Sequence, residues 1–287
     1  MHSKEHIILR QLHWAKRNSI KLVGSKITRG RKTYTKTLNE NLFEPLTKQT
    51  KKDIESGDGG ELRGNSTSSP KMHALHSSSA IGVNFLQYWN KKSVSDLAYA
   101  LGLLKKNSNY PKKIRFEQKY KINKRFGTSP NIDAVIINNE GSKFKAFGIE
   151  CKFTEAYSSS HPGLKEKYIT DISKQWDDIP NLFELGKSLC PNDNDFNHLH
   201  PAQLIKHILG MKNKYGKSKF KLLYLWYDAI GKEGANHRKE IDIFSKITQK
   251  DNINFSAISY QELIAKINAN LYDGNEKYIN YMMERYF

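Results

Sequence analysis

Cysteine is nearly absent: Cys151 and Cys190 are the two in 287 residues. They fit a reducing compartment and stand too few and too far apart to build a zinc site. Acidic residues are scarce relative to basic ones, 29 against 47, which leaves a net charge of +18. Apolar runs of membrane-spanning length are missing, and no long amphipathic basic helix marks a binder of anionic membranes. The first residues, Met1-His2-Ser3-Lys4-Glu5-His6, carry charge where a secretory signal carries an apolar core, so the expected location is the cytoplasm. No Gly-x-x-x-x-Gly-Lys-[Ser/Thr] loop is present, so no ATP-driven translocation is expected, and nothing repeats at a fixed period. The ten histidines form no recognisable metal-ligand pair; His198 and His200 read as polar loop surface.

What is there is basic charge, and it is concentrated at the start. Residues 1–52 hold thirteen Lys and Arg against three Asp and Glu. Such an excess favours polyanions through counterion release, and nucleic acid is the simplest partner. Asp53 to Pro70, rich in Gly, Ser, Asn and charge, reads as a mobile connection. The expected organisation is therefore a basic amino-terminal arm and linker over 1–70, then one domain over 71–287 with an insertion at 156–200.

The chemistry concentrates between Pro130 and Lys152. Asp133 lies in the apolar run Ile132, Ala134, Val135, Ile136, Ile137; Asn138-Asn139-Glu140-Gly141-Ser142 is a turn signal; Phe144 to Phe153 reads as the returning strand. Alternation along that strand projects Glu150 and Lys152 together and turns Cys151 to the opposite face. A hairpin of this kind brings Asp133 beside Glu150. Two converging carboxylates repel unless a cation neutralises them, and hard oxygen ligands select Mg²⁺ or Mn²⁺. The competing structural readings are a turn cap for Asp133, an exposed ion pair for Glu150 and Lys152, and a solvated strand residue for Glu117.

The pattern Pro130-Asn131-Ile132-Asp133, followed seventeen residues after Asp133 by Glu150-Cys151-Lys152, resembles the PD-(D/E)XK nuclease superfamily, which includes most type II restriction endonucleases. Asn131 stands where many members carry an Asp, so Asp133 takes the ligand role. Met72 to Ser79, Phe116-Glu117, Phe147 to Glu155 and Gln203-Leu204-Ile205-Lys206-His207 together look like one restriction-endonuclease-like branch, over roughly residues 70–265. The resemblance implies Asp133, Glu150 and the carbonyl of Cys151 as ligands of Mg²⁺ (or Mn²⁺), Lys152 as the catalytic amine, and Glu117 as the ligand of a second ion. It also implies that Gln203 lies near the site, to orient a phosphate or the lysine.

The order of predicted elements agrees. Ser77–Asn90 and Ser93–Leu104 are expected helices, with Ser93 and Asp96 forming a capping pair. Strands follow around Ile114–Tyr120, Asp133 and Phe144–Phe153, then an insertion with an amphipathic helix at Ile179–Leu189, a helix at Ala202–Lys212 and an apolar strand at Lys219–Asp228. This is αβββαβ, an α/β fold with a mixed central sheet flanked by helices. His237–Thr248 and Tyr260–Asn268 add helices, with a strand at Ile253–Ile258 between them. Residues 25–50 carry no firm assignment. The expected function is metal-dependent hydrolysis of double-stranded DNA by a sequence-specific, restriction-type endonuclease, in which palindromic recognition would imply a homodimer. Ser158, Ser159, Lys165, Lys167 and Tyr168 of the insertion are candidate DNA contacts. The alternatives are a structure-selective repair or recombination nuclease and a DNA-binding protein of the same fold that does not cut.

Overall fold

Fifteen residues from Ser3 form the first helix because Ile7, Gln11, Trp14 and Ala15 recur on one stripe, and that stripe is buried. In the computed structural model, residues 2–26, 29–57, 60–127, 129–158 and 161–287 are described. The chain runs α1 (Ser3–Arg17), β1 (Leu22–Lys26), β2 (Arg29–Thr35), α2 (Lys48–Glu55), α3 (Ser78–Leu86), α4 (Val94–Ala100), β3 (Pro111–Lys119), β4 (Asn131–Asn138), β5 (Ala146–Lys152), α5 (Lys167–Thr170), α6 (Pro180–Ser188), α7 (Pro201–Tyr215), β6 (Phe220–Trp226), α8 (Lys232–Lys250), β7 (Phe255–Ser259), α9 (Tyr260–Asn270) and α10 (Glu276–Tyr286). β1 and β2 form a separate antiparallel hairpin, and the other five strands make one sheet in the order β3-β4-β5-β6-β7.

That sheet is mixed, as expected. β3, β4 and β5 pair antiparallel through connections without helices, whereas β6 and β7 join parallel after helical crossovers. Each face buries its own core. Ile114, Phe116, Ile136, Phe147, Ile149, Leu223 and Leu225 pack with residues of α3, α4, α9 and α10 on one side. Val135, Ala146, Leu222, Tyr224 and Trp226 pack with α6, α7 and α8 on the other. Among the described residues no helix is long and apolar enough to cross a membrane.

Several boundaries moved for physical reasons. α4 stops at Ala100 because the chain turns at Gly102 in the left-handed region (φ 71°). Its expected cap is present: Ser93 Oγ accepts from Asp96 N at 3.2 Å. α8 begins at Lys232, five residues before the expected start, after Gly231 (φ 100°) turns the backbone into it. Residues 29–32 are exposed in β2, so no alternation marked that hairpin in the sequence.

The segment expected to begin a mobile connection starts inside a helix. Asp53 belongs to α2, is 2% exposed, and accepts from Arg115 Nη2 at 2.6 Å and from Phe116 N at 3.1 Å. Asp58 and Gly59 lie outside the described residues. At the amino end, α1 is locked to the last helix: Arg285, fully buried, donates to Asn41 O at 2.7 Å and to Gln11 Oε1 at 3.2 Å, and Gln11 Nε2 donates to Arg285 O at 2.9 Å.

Candidate active site

Strand alternation decides which side chains of β5 meet the site. Phe147, Ile149 and Cys151 enter the core on one face, so Gly148, Glu150 and Lys152 share the other. Helix α7 packs there, and Gly148 sets how closely: a Cβ at that position would stand 2.7 Å from Met211 Sδ. Strand residues two apart advance by about 6.6 Å, and helix residues four apart by about 6 Å. The spacings match, so Gly148, Glu150 and Lys152 line up in turn with Met211, His207 and Gln203. His207 Nε2 lies 2.8 Å from Glu150 Oε2. Lys152 Nζ donates to Gln203 Oε1 at 2.9 Å and stands 2.7 Å from Glu150 Oε1.

The neighbouring strands supply two more carboxyls in the same row of the sheet. The register Ala134↔Ile149 sets Asp133 one step on, beside Glu150, and the register Phe116↔Ala134, Gln118↔Ile132 sets Glu117 beside Asp133. Asp133, half-buried, accepts from Cys151 N at 2.7 Å. Glu117 accepts from Asn131 Nδ2 at 3.2 Å. Its backbone sits at φ 49° in the middle of a strand, a left-handed conformation that a side-chain-bearing residue holds only when its surroundings impose it.

The electrostatics follow from this crowding. Burial, the charge of Glu150 and that of Glu117 raise the Asp133 carboxyl well above the usual range, against Lys152 and the Cys151 amide. Burial and the charges of Glu61 and Glu150 push Glu117 up to about 7. Glu150 goes the other way: burial opposes its charge, but Lys152 and His207 hold it down at about 2. Lys152 is raised, because the pull of Glu150, with Glu155 and Asp133, outweighs its burial. One acid is therefore held down while burial and like charge raise its two neighbours, as expected when like charges share a site.

Among the described residues no three His, Cys, Asp or Glu side chains are arranged as a ready-made metal cluster. The donor set nevertheless suits a hard divalent cation. Mg²⁺ takes one or two carboxylates and fills its other positions with water and substrate oxygens. Asp133 and Glu150 offer those carboxylates. Among the described residues, Glu150 Oε1, fully buried, has no hydrogen-bond donor beyond its ion pair with Lys152.

Asp133, Glu150, Lys152, Glu117 and Gln203 are thus brought together. Cys151 contributes its backbone, while its side chain is 1% exposed in the opposite core. Lys165 is exposed and Lys167 lies over the Phe126 ring at 4.8 Å. Both charges, with that of Lys152, act on Lys206, which burial and these neighbours lower. Tyr168 is not available at the surface for DNA: it is 7% exposed and packs edge-on against Phe126. Ser158 accepts from Lys4 Nζ at 2.9 Å, while Ser159 and Ser160 lie outside the described residues. His198 and His200 are also less free than a polar loop would leave them, since Nδ1 of the first is 3.1 Å from Ala156 O and Nε2 of the second 3.1 Å from Pro162 O.

Sequence reasoning placed Lys206 and His207 within a resembling segment without giving either a role, and it missed Glu61 and the bond from Asn131 to Glu117. For His207 a signal existed: it follows Gln203 by four residues and so shares its helix face. Glu61 comes from a stretch with no periodicity, and nothing in the sequence tied it to Glu117.

A family model described as restriction endonuclease associating with ARP matches residues 4–287. Neither the curated proteins nor the solved structures give a match. A match that runs over nearly the whole sequence shows the family, and the chain belongs to the restriction endonucleases associating with ARP.

Proposed function

We propose, beyond the nuclease class that the family gives, that this chain is a PD-(D/E)XK endonuclease that hydrolyses phosphodiester bonds of double-stranded DNA with Mg²⁺, or Mn²⁺ in its place. The observation that carries this reading is the convergence of Asp133, Glu150 and Lys152 from two paired strands, with Asp133 on the Cys151 amide and Glu150 and Lys152 against α7. Asp133, Glu150 and the carbonyl of Cys151 would hold the ion, and Glu117 would serve a second. When bound, the ion activates water and neutralises charge on the scissile phosphate.

The chain's own residues supply the rest. Lys152 presents a compact ammonium to the charge that develops on the phosphate, and such preorganised charge is the large term in phosphoryl chemistry. Gln203 and Glu150 hold that ammonium in one place. Lys165 and Lys167 in the insertion, and the exposed basic residues of β2, hold the DNA backbone and make affinity depend on salt.

A net charge of +18 draws the enzyme to all DNA, so discrimination has to arise from coupling of recognition to assembly of the site. The insertion 156–200 leaves directly from the end of β5 and is the segment suited to that coupling. Palindromic recognition would place one copy on each strand, as a cytoplasmic homodimer. Association with ARP, from which the family takes its description, belongs to the same proposal.

Digestion of plasmid and phage DNA with Mg²⁺, followed by sequencing of the ends, tests the reading. Discrete fragments with a shared terminal motif are expected. A smear without a shared motif would point to a non-specific or structure-selective nuclease, and intact DNA at high enzyme concentration would remove the nuclease assignment.

A further inference from the structure

Two faces of one carboxylate are held by different elements. Glu150 Oε1 meets Lys152 of its own strand, whereas Oε2 meets His207 of α7 at 2.8 Å. Glu150 is fully buried and His207 is 1% exposed, so the bond between them lies away from bulk solvent. His207 Nδ1 is buried with no hydrogen-bond partner among the described residues, which assigns the ring proton to Nε2, where it is donated to Glu150. A buried histidine that spends its one hydrogen bond on a carboxylate, and leaves its other nitrogen unsatisfied, is not there to satisfy itself.

We infer that His207 is a positioning residue: it pins Glu150 Oε2 from behind, so that Oε1 is the oxygen turned toward Lys152 and the site. The inference rests on the nuclease reading above for what the site does, and on geometry for what His207 does. Without the Nε2–H donor, Oε2 has the Lys152 ammonium as its nearest available partner, and the carboxylate turns onto it with both oxygens. The 2.7 Å pairing through Oε1 alone then becomes a grip by both oxygens, which moves the carboxylate and the ammonium out of the arrangement the site needs. The donor stands at the right height because 203, 207 and 211 advance along α7 as 152, 150 and 148 advance along β5, with the absent side chain of Gly148 allowing the close approach. The partners that fix ligand orientation in metal sites typically contribute 10–100-fold to metal affinity or activity.

Two substitutions separate positioning from packing. His207→Leu fills much of the space without a donor; His207→Gln offers an amide N–H with the reach of Nε2. In the full chain without DNA, Mn²⁺ binding followed by electron paramagnetic resonance should weaken by about 10–100-fold in His207→Leu and recover most of that affinity in His207→Gln. On cleavable DNA, kcat should fall in parallel, with KM unchanged. A folded His207→Leu that binds Mn²⁺ like the wild type, or a folded His207→Gln as weak as the leucine variant, would overturn the inference. Should the leucine variant not fold, His207→Asn, whose shorter amide cannot reach Oε2, takes its place with the same expected weakening, and retained affinity in it is equally fatal. Wild-type protein that binds Mn²⁺ through Glu150 but cuts no DNA would overturn the nuclease reading alone, because the Mn²⁺ comparison still judges His207.

Discussion

Two buried polar clusters in this molecule obey opposite rules. At the junction of the first and last helices, Arg285 is fully buried, and its guanidinium donates to Asn41 O, Asn41 Oδ1, Gln11 Oε1 and Tyr281 OH while stacking 4.2 Å from the Trp14 ring. Where β3, β4 and β5 lie side by side, Asp133, Glu117 and Glu150 crowd one another; Glu150 Oε1 has only its ion pair with Lys152, and His207 Nδ1 and Asn131 Oδ1 are buried without hydrogen-bond partners among the described residues. The first cluster is a finished network, in which each bond supports the others. The second keeps charge and bonding capacity in reserve. Structure that exists only for stability has no reason to do so, and unsatisfied groups of this kind gather where a ligand or substrate completes the set.

Breaking each cluster should therefore have different consequences. The largest effect is expected at the site: Glu150→Gln or Asp133→Ala should lower cleavage by roughly 10³-fold while circular dichroism and DNA binding without metal stay close to wild type. Lys152→Ala should do the same, and Lys152→Arg should not rescue, because a planar fork cannot replace a point charge. Wild-type cutting by Glu150→Gln would erase the distinction between the two clusters.

At the other cluster the damage should be to stability and not to chemistry. Arg285→Leu leaves Gln11, Asn41 and Tyr281 without their donor and should cost about 3 kcal/mol or more, since each orphaned buried acceptor costs about 1–3 kcal/mol. Urea denaturation reads the change directly, and activity per folded molecule should be unchanged. For the same reason the basic residues of the amino-terminal region are better tested by surface substitutions than by deletion, which would strip α1 from α10.

A third contrast is in the sign of the pH dependence. Glu117, raised from 4.5 to about 7, holds its proton more tightly when folded. Its contribution is fully present below pH about 4.5 and is lost as pH rises to about 7. Asp53 is the reverse: burial opposes its charge, but Arg115, the Phe116 amide and Gln49 together lower it. Its contribution is present above the ordinary carboxylate range and is lost as pH falls through its folded value. In metal-free protein, Glu117→Gln should flatten the decline in melting temperature between these two pH values, with a gain on the order of 1–2 kcal/mol at the upper end. Asp53→Asn should instead lower stability at neutral pH and lose that penalty in acid. Identical pH profiles for the two variants would show that the site stores no repulsion.

The smallest effect concerns the backbone grip. Arg29 and Lys32 are exposed on β2, and replacing both by Ala should reduce the slope of log affinity against log salt by about 0.9 for each phosphate that is no longer neutralised. Melting temperature should not change. An unaltered slope would move the grip elsewhere, with Lys165, Lys167 and Lys206 next in order.

Much of the sheet and part of the site could be read in the sequence because they are local. The apolar run about Asp133, the polar turn after Asn138 and the alternation from Phe147 to Lys152 are each written within ten residues, and side-chain alternation needs no tertiary information. Those facts alone put Glu150 and Lys152 on one face, Cys151 on the other and Asp133 across the hairpin. The order of strands and helices then left few ways to build the sheet. What the sequence could not express is distance between remote segments. That Asp53 reaches Arg115, that Gln11 and Asn41 enclose Arg285, that Glu61 adds its charge to Glu117 and that His207 backs Glu150 all depend on packing of segments tens to hundreds of residues apart. Each of those residues is polar, and a polar residue looks the same in sequence whether solvent or a partner will satisfy it. Only the folded chain removes the water and so decides which partner it must have.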